Sequence, residues 1–85
     1  MKSIFTKNAP APLGAYSQAI VDGSTVYVSG QLPIDIENPD KSIGSIEEQT
    51  TKTLENLEAV LIAAGSDRNH VLKTTIYITD LALWP

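Results

Sequence analysis

The stretch from Ser45 to Gly65, SIEEQTTKTLENLEAVLIAAG, does most to limit what this chain can fold into. Its apolar and small side chains fall at Ile46, Thr50, Thr53, Leu54, Leu57, Val60, Leu61 and Ala64, the three-four spacing of an α-helix with one buried stripe. Ser45 can accept from the free amides of the first turn and Glu48 can reach back to the Ser45 amide, so a capping box marks the start. Gly65 supplies the left-handed residue that ends the helix. Glu47, Glu48, Lys52, Glu55 and Glu58 fall outward, with Glu48 and Lys52 ordered for an i,i+4 pair. A helix of this length is marginal alone in water, so its stripe must cover something.

Strands are what the rest of the chain offers. Ser3–Thr6 reads as a short edge strand. Asn8–Gly14 carries Pro10 and Pro12 and is therefore an extended loop. Ser17–Val21 and Ser24–Gln31 flank Asp22–Gly23, the signature of a hairpin closed by a type I′ turn. Pro33 stops the second strand by removing a ladder donor. Ile34–Gly44 is a polar connection turning at Asn38–Pro39–Asp40. Ser66–His70 is a brief linker, and Val71–Thr79 is a strand by its β-branched content.

With 85 residues the chain is one domain, residues 1–85. A chain so short buries only about 60–65% of its unfolded surface. With no cysteine, oligomerisation is the expected supplement. A formal charge of −4 argues against a nucleic-acid groove. No apolar run reaches the ~18 residues of a membrane span and no signal peptide is read, so cytoplasmic residence is expected.

Period-two alternation sends Val26 and Val28 one way and Tyr27, Ser29 and Gln31 the other. Leu72, Thr74, Ile76 and Ile78 share a face opposite Lys73, Thr75 and Tyr77. The aliphatic faces fit beneath the helical stripe. The other faces suit a wet subunit interface or pocket wall, or an ordinary solvated sheet face. His70, the one histidine, reads as a solvated linker residue, and no metal-ligand cluster, P-loop or GxGxxG is present. Two segments look over-specified for packing. Gly14–Ala19 puts the Tyr16 phenol at a loop-to-strand junction. Val28–Gln31 sets the Ser29 hydroxyl beside Gly30, which marks either a bulge or a close approach to the backbone. In the second case the Ser29 hydroxyl and Gly30 amide could together bind a small carboxylate or carbonyl.

GAYSQA at 14–19, VYVSGQLPID at 26–35, EEQTTKTLENLEAVLIAAGS at 47–66 and VLKTTIYITDL at 71–81 resemble the RidA (YjgF) family of imine/enamine deaminases along nearly the whole chain. Ala15 departs from the family's usual proline. The resemblance implies a chorismate-mutase-like α+β fold, a mixed sheet with a helix packed on one face. It also implies a homotrimer with ligand sites between subunits, and cofactor-free hydrolysis of 2-imino or 2-enamino acids to 2-keto acids and ammonia. Tyr16, Ser29 and Gly30 are carried over as substrate-binding residues. A translation-inhibiting or ribonuclease-like activity is a weaker family-derived reading, which the acidic charge opposes. A non-catalytic, oligomeric binding module is the other alternative.

The family chain is expected to continue past Pro85 with a second helix and two strands. That part would hold an arginine for the substrate carboxylate and a glutamate for the attacking water. Arg68 does not match that arginine, so no residue here is assigned a catalytic role and efficient turnover by this chain alone is not expected. In the family sheet the final strand lies between the hairpin and the strand after the helix. Here those two either pair directly in a right-handed βαβ unit or leave open edges that invite pairing with other copies.

Overall fold

Alternation along the hairpin fixes which side of the sheet is covered. The computed structural model describes residues 1–40 and 44–83. Three antiparallel strands, β1 (Lys2–Ile4), β2 (Ala19–Asp22) and β3 (Thr25–Val28), form a sheet in the order β1-β2-β3. Ile4, Ala19 and Val28 make one rung, and Ser3, Ile20 and Tyr27 make the next, facing the other way. Ile4 and Ala19 are buried with Ala9 and Val60, and Val21, Val26 and Val28 pack around them. Tyr27 is exposed on the far face. The expected division of this hairpin into a covered and an uncovered side therefore holds.

The hairpin turn differs in type from the one expected. Asp22 pairs with Thr25, so the central residues are Gly23 and Ser24. Only Gly23 has positive φ, at 61°, the pattern of a type II′ turn rather than I′. Strand limits also differ, and side chains explain why. The edge strand stops at Ile4 because the amide and carbonyl of Thr6 are both taken by the Gln18 side chain. Regular hairpin pairing runs to Val28; beyond it Ser29 N–H still bonds the Gln18 carbonyl in register, and the Ser29 hydroxyl donates to the Ser17 carbonyl. In the following connection Asn38 N–H bonds the Asp35 carbonyl, which places a turn at Ile36–Glu37; Pro39 and Asp40 turn as expected.

The helix α1 (Ile46–Ala63) is capped as its sequence requires. Ser45 accepts from Glu48 N–H, and the Glu48 carboxylate accepts from Ser45 N–H, each at 3.2 Å. At the other end Gly65 has φ 85°, Ser66 N–H bonds the Leu61 carbonyl and Gly65 N–H bonds that of Ile62, completing a Schellman motif. Lys52 pairs with Glu55 at 3.4 Å. Burial is confined to the C-terminal part: Asn56, Val60 and Leu61 are buried, while Leu54 and Thr50, expected in the stripe, are exposed. No helix among the described residues is long and apolar enough to cross a membrane.

The largest departure is the segment expected as a strand at Val71–Thr79, which joins no ladder. Leu72, expected beneath the helix, is 92% exposed, and Ile76 is exposed as well. Strand propensity is weak without a neighbouring backbone to bond. The segment does not pair with β3 as a βαβ unit, so among the described residues the sheet is antiparallel rather than mixed, and its β3 edge is open. The class remains α+β with one helix over one face of the sheet.

Two substitutions separate the observed core from the sequence stripe. Val60→Ala, at a fully buried position, is expected to lower stability by about 2 kcal/mol. Leu54→Ala should cost no more than about 0.5 kcal/mol. Urea midpoints of the two variants check this, and equal losses would contradict the packing described.

Candidate functional site

Proline removes backbone donors from two segments, 10–13 and 31–34, and neither enters a strand. Their carbonyls still need partners. Gln18, 2% exposed, accepts Thr6 N–H at Oε1 (2.6 Å). Its Nε2 group donates to the carbonyls of Thr6 (3.0 Å), Pro10 (2.9 Å) and, more weakly, Ala9 (3.4 Å). Asn56, 4% exposed on α1, donates from Nδ2 to the carbonyls of Leu32 and Ile34, both at 2.9 Å. The first segment is thus tied to β2 and the second to the helix.

Between the two segments lies a shallow cleft open to solvent, lined by Pro10 to Leu13, Tyr16, Gln18, Gly30 to Leu32 and Ile34. None of these residues carries a formal charge. Tyr16 is half exposed and its ring edge stands 3.6 Å from where a Cβ on Gly14 would be. Its phenol oxygen accepts Leu13 N–H at 3.3 Å, leaving the phenol proton available to donate. Gly30 is exposed, its φ is not positive, and a Cβ added there would meet nothing within 4 Å. Neither conformation nor space within this chain demands glycine at that position. What glycine leaves there is a bare backbone approach to the cleft.

The three residues singled out from sequence are therefore not equivalent. Tyr16 and Gly30 line the cleft. Ser29 stands behind it, where its N–H bonds the Gln18 carbonyl (3.0 Å) and its hydroxyl donates to the Ser17 carbonyl (2.6 Å). With that proton spent, Ser29 and Gly30 do not form a pair of donors, and the hydroxyl can only accept. Gln18 and Asn56 escaped sequence reading because the search for periodicity counted apolar side chains. Asn56 does fall on the buried face, three residues from Thr53 and four from Val60, and a polar residue at that spacing was the available signal.

His70 sits outside the cleft, exposed, in a 3₁₀ turn at Arg68–His70. Its Nδ1 lies 2.8 Å from Asp67 Oδ1, which also accepts Asn69 N–H at 2.9 Å. Hydrogen bonding to His70 holds the Asp67 carboxyl below its ordinary value of 3.8 against an opposing desolvation, with further help from the Asn69 amide. Arg68 pairs with Glu58 of α1 at 3.5 Å. No group of metal-ligating side chains occurs among the described residues.

A family model described as Endoribonuclease L-PSP matches residues 6–85. A RutC family protein of Pyrococcus abyssi is 49% identical over 78 residues, 92% of this chain and 61% of the relative. The 2-iminobutanoate/2-iminopropanoate deaminase of Rattus norvegicus is 42% identical over 80 residues, 94% of this chain and 58% of that protein. Among solved structures, E. coli TdcF with bound serine is similar at a TM-score of 0.90 and 35% identity, over 96% of this chain and 64% of that one. The chain thus spans about three-fifths of the length of these relatives.

The Asp67–His70 contact has a signed pH consequence. A depressed carboxyl pKa favours the fold above the unfolded value, and that contribution is lost as pH falls through the folded one. Carboxyl-detected NMR should place the Asp67 midpoint below 3.8, and His70→Ala should move it upward. An unchanged midpoint in that variant would assign the depression elsewhere.

Proposed function

The chain belongs to the Endoribonuclease L-PSP family of RutC and RidA proteins, and from that premise we propose that its cleft takes a small 2-imino or 2-enamino acid for cofactor-free hydrolysis. The reaction adds water across the C=N bond and expels ammonia, leaving a 2-keto acid. The observation that carries the reading is the cleft itself, which Tyr16 and Gly30 both line, with nothing within 4 Å of where a Gly30 Cβ would stand. Such neutral donors suit a carboxylate or carbonyl oxygen. The serine held by TdcF, a relative of the same fold, is likewise a small molecule carrying a carboxylate.

Ser29 in this reading stands behind the cleft, its hydroxyl donated to the Ser17 carbonyl and so not to a ligand. Copies of the chain assemble, as a trimer by family likeness, so that a neighbour supplies the wall the open cleft lacks. A second reading, binding without turnover, is favoured by one feature: no charged side chain lines the cleft, and Arg68 is engaged with Glu58. Hydrolysis then requires charged groups beyond those lining this cleft. Ribonuclease activity is the weaker third reading, opposed by the −4 charge.

Ammonia release separates the first two readings, with the imine generated in the assay by a pyridoxal-phosphate-dependent dehydratase. Release above buffer supports the deaminase; binding of 2-oxobutanoate with no release supports the module. Gly30→Ala sharpens the test, because a Cβ in open space at ordinary φ should leave the fold as stable or about 0.4–1 kcal/mol more so. The same variant should lose ligand binding at least tenfold. Retained binding would remove Gly30 from the site. Light scattering should give a mass above the 9.1 kDa of one chain. A folded monomer that binds as well as the assembly would show that no second wall is needed.

A further inference from the structure

Gln18, at the edge of the cleft lining, and Asn56, outside it, have their donor hydrogens committed to the walls and not to what would lie between them. Each is buried, and the Nδ2 or Nε2 hydrogens of each are committed to carbonyl oxygens of a wall. Gln18 reaches Pro10 at the foot of one wall, and Asn56 reaches Leu32 and Ile34, which themselves line the other. Among the described residues no ladder holds segments 10–13 and 31–34, so these tethers fix the spacing between Pro10 on one side and Leu32 and Ile34 on the other. The bonds of Ser29 to Ser17 and Gln18 hold Tyr16 and Gly30 near each other. No buried side-chain polar atom among the described residues lacks a partner, so the network has no slack to take up a lost donor.

We propose that Gln18 and Asn56 are positioning residues for the ligand cleft: each sets the place of one proline-bearing wall, and together they set its width. This rests on the reading of the cleft as the ligand site. The isosteric changes Gln18→Glu and Asn56→Asp keep shape and remove both donor hydrogens, turning a carboxylate toward the same carbonyls. Burial and the facing carbonyl oxygens raise the pKa of such a carboxyl, so mild acid restores one donor.

The experiment measures binding of 2-oxobutanoate by amide chemical-shift titration at pH 7.5 and pH 5.5, in the native chain and both variants. The native chain should bind alike at the two pH values, because the ligand carboxylate does not titrate between them. Each variant should bind at least tenfold more weakly at pH 7.5 and recover in part at pH 5.5, a pH dependence that general loss of stability would not confer on ligand affinity in folded protein. Native-like affinity in both folded variants at pH 7.5 overturns the proposal. Should a variant not fold at pH 7.5, Asn56→Ser, which keeps one donor, serves instead, and affinity equal to the native chain's overturns it as well. If the native chain itself does not bind, the reading of the ligand fails. Amide shifts of Gly30, Gln31, Leu32 and Ile34 in ligand-free Asn56→Asp then decide separately whether the wall moves, and unmoved shifts refute the tether.

Discussion

Two side-chain carboxamides stand where backbone pairing cannot. A proline has no N–H to give a ladder, and a segment containing one leaves neighbouring carbonyls without strand partners. Gln18 answers this for the first segment by meeting both the amide and the carbonyl of Thr6, as a paired strand residue would, and then reaching the Pro10 carbonyl. Asn56 answers it for the second from the helix. An unmatched buried carbonyl or amide costs about 1–3 kcal/mol, so each tether outweighs the roughly 1 kcal/mol of an ordinary hydrogen bond. Sheet, helix and both loops depend on this exchange of side chain for backbone.

Around it the chain is unevenly finished. The helix is closed at both ends by local chemistry, Ser45 with Glu48 and Gly65 with Ser66, and would be helical by those signals wherever it lay. Its packing is less complete, since Val60 meets the core while Leu54 and Ile62 face outward. Tyr77 and Leu72 in the extended C-terminal segment are likewise bare. These surfaces lie on elements whose sequence pattern is that of a core, which accounts for why pattern and burial part company there.

What could be read in advance follows the range of the interaction involved. The capping box, the Schellman glycine and the two-sided hairpin are set within a few residues, and each was legible in the order of side chains. The strand at 71–79 was not, because Ile76 and Tyr77 carry propensity but no partner. The turn type was misjudged by one residue, since Asp22–Gly23 and Gly23–Ser24 are equally plausible centres until the register Asp22↔Thr25 is known. At the cleft, Tyr16 and Gly30 fall in the lining, whereas the Ser29 hydroxyl, read as a possible donor, is engaged with the Ser17 carbonyl. That distinction depends on a contact twelve residues away in sequence.

The absence of formal charge among the cleft's lining side chains carries one more consequence. On the proposed reading, a recess that meets an anion with a phenol and uncharged backbone, not with a guanidinium or ammonium, offers little for mobile counterions to screen. Recognition by this face would change little between dilute buffer and brine. Long-range attraction toward this acidic chain would be feeble, leaving encounter to ordinary diffusion.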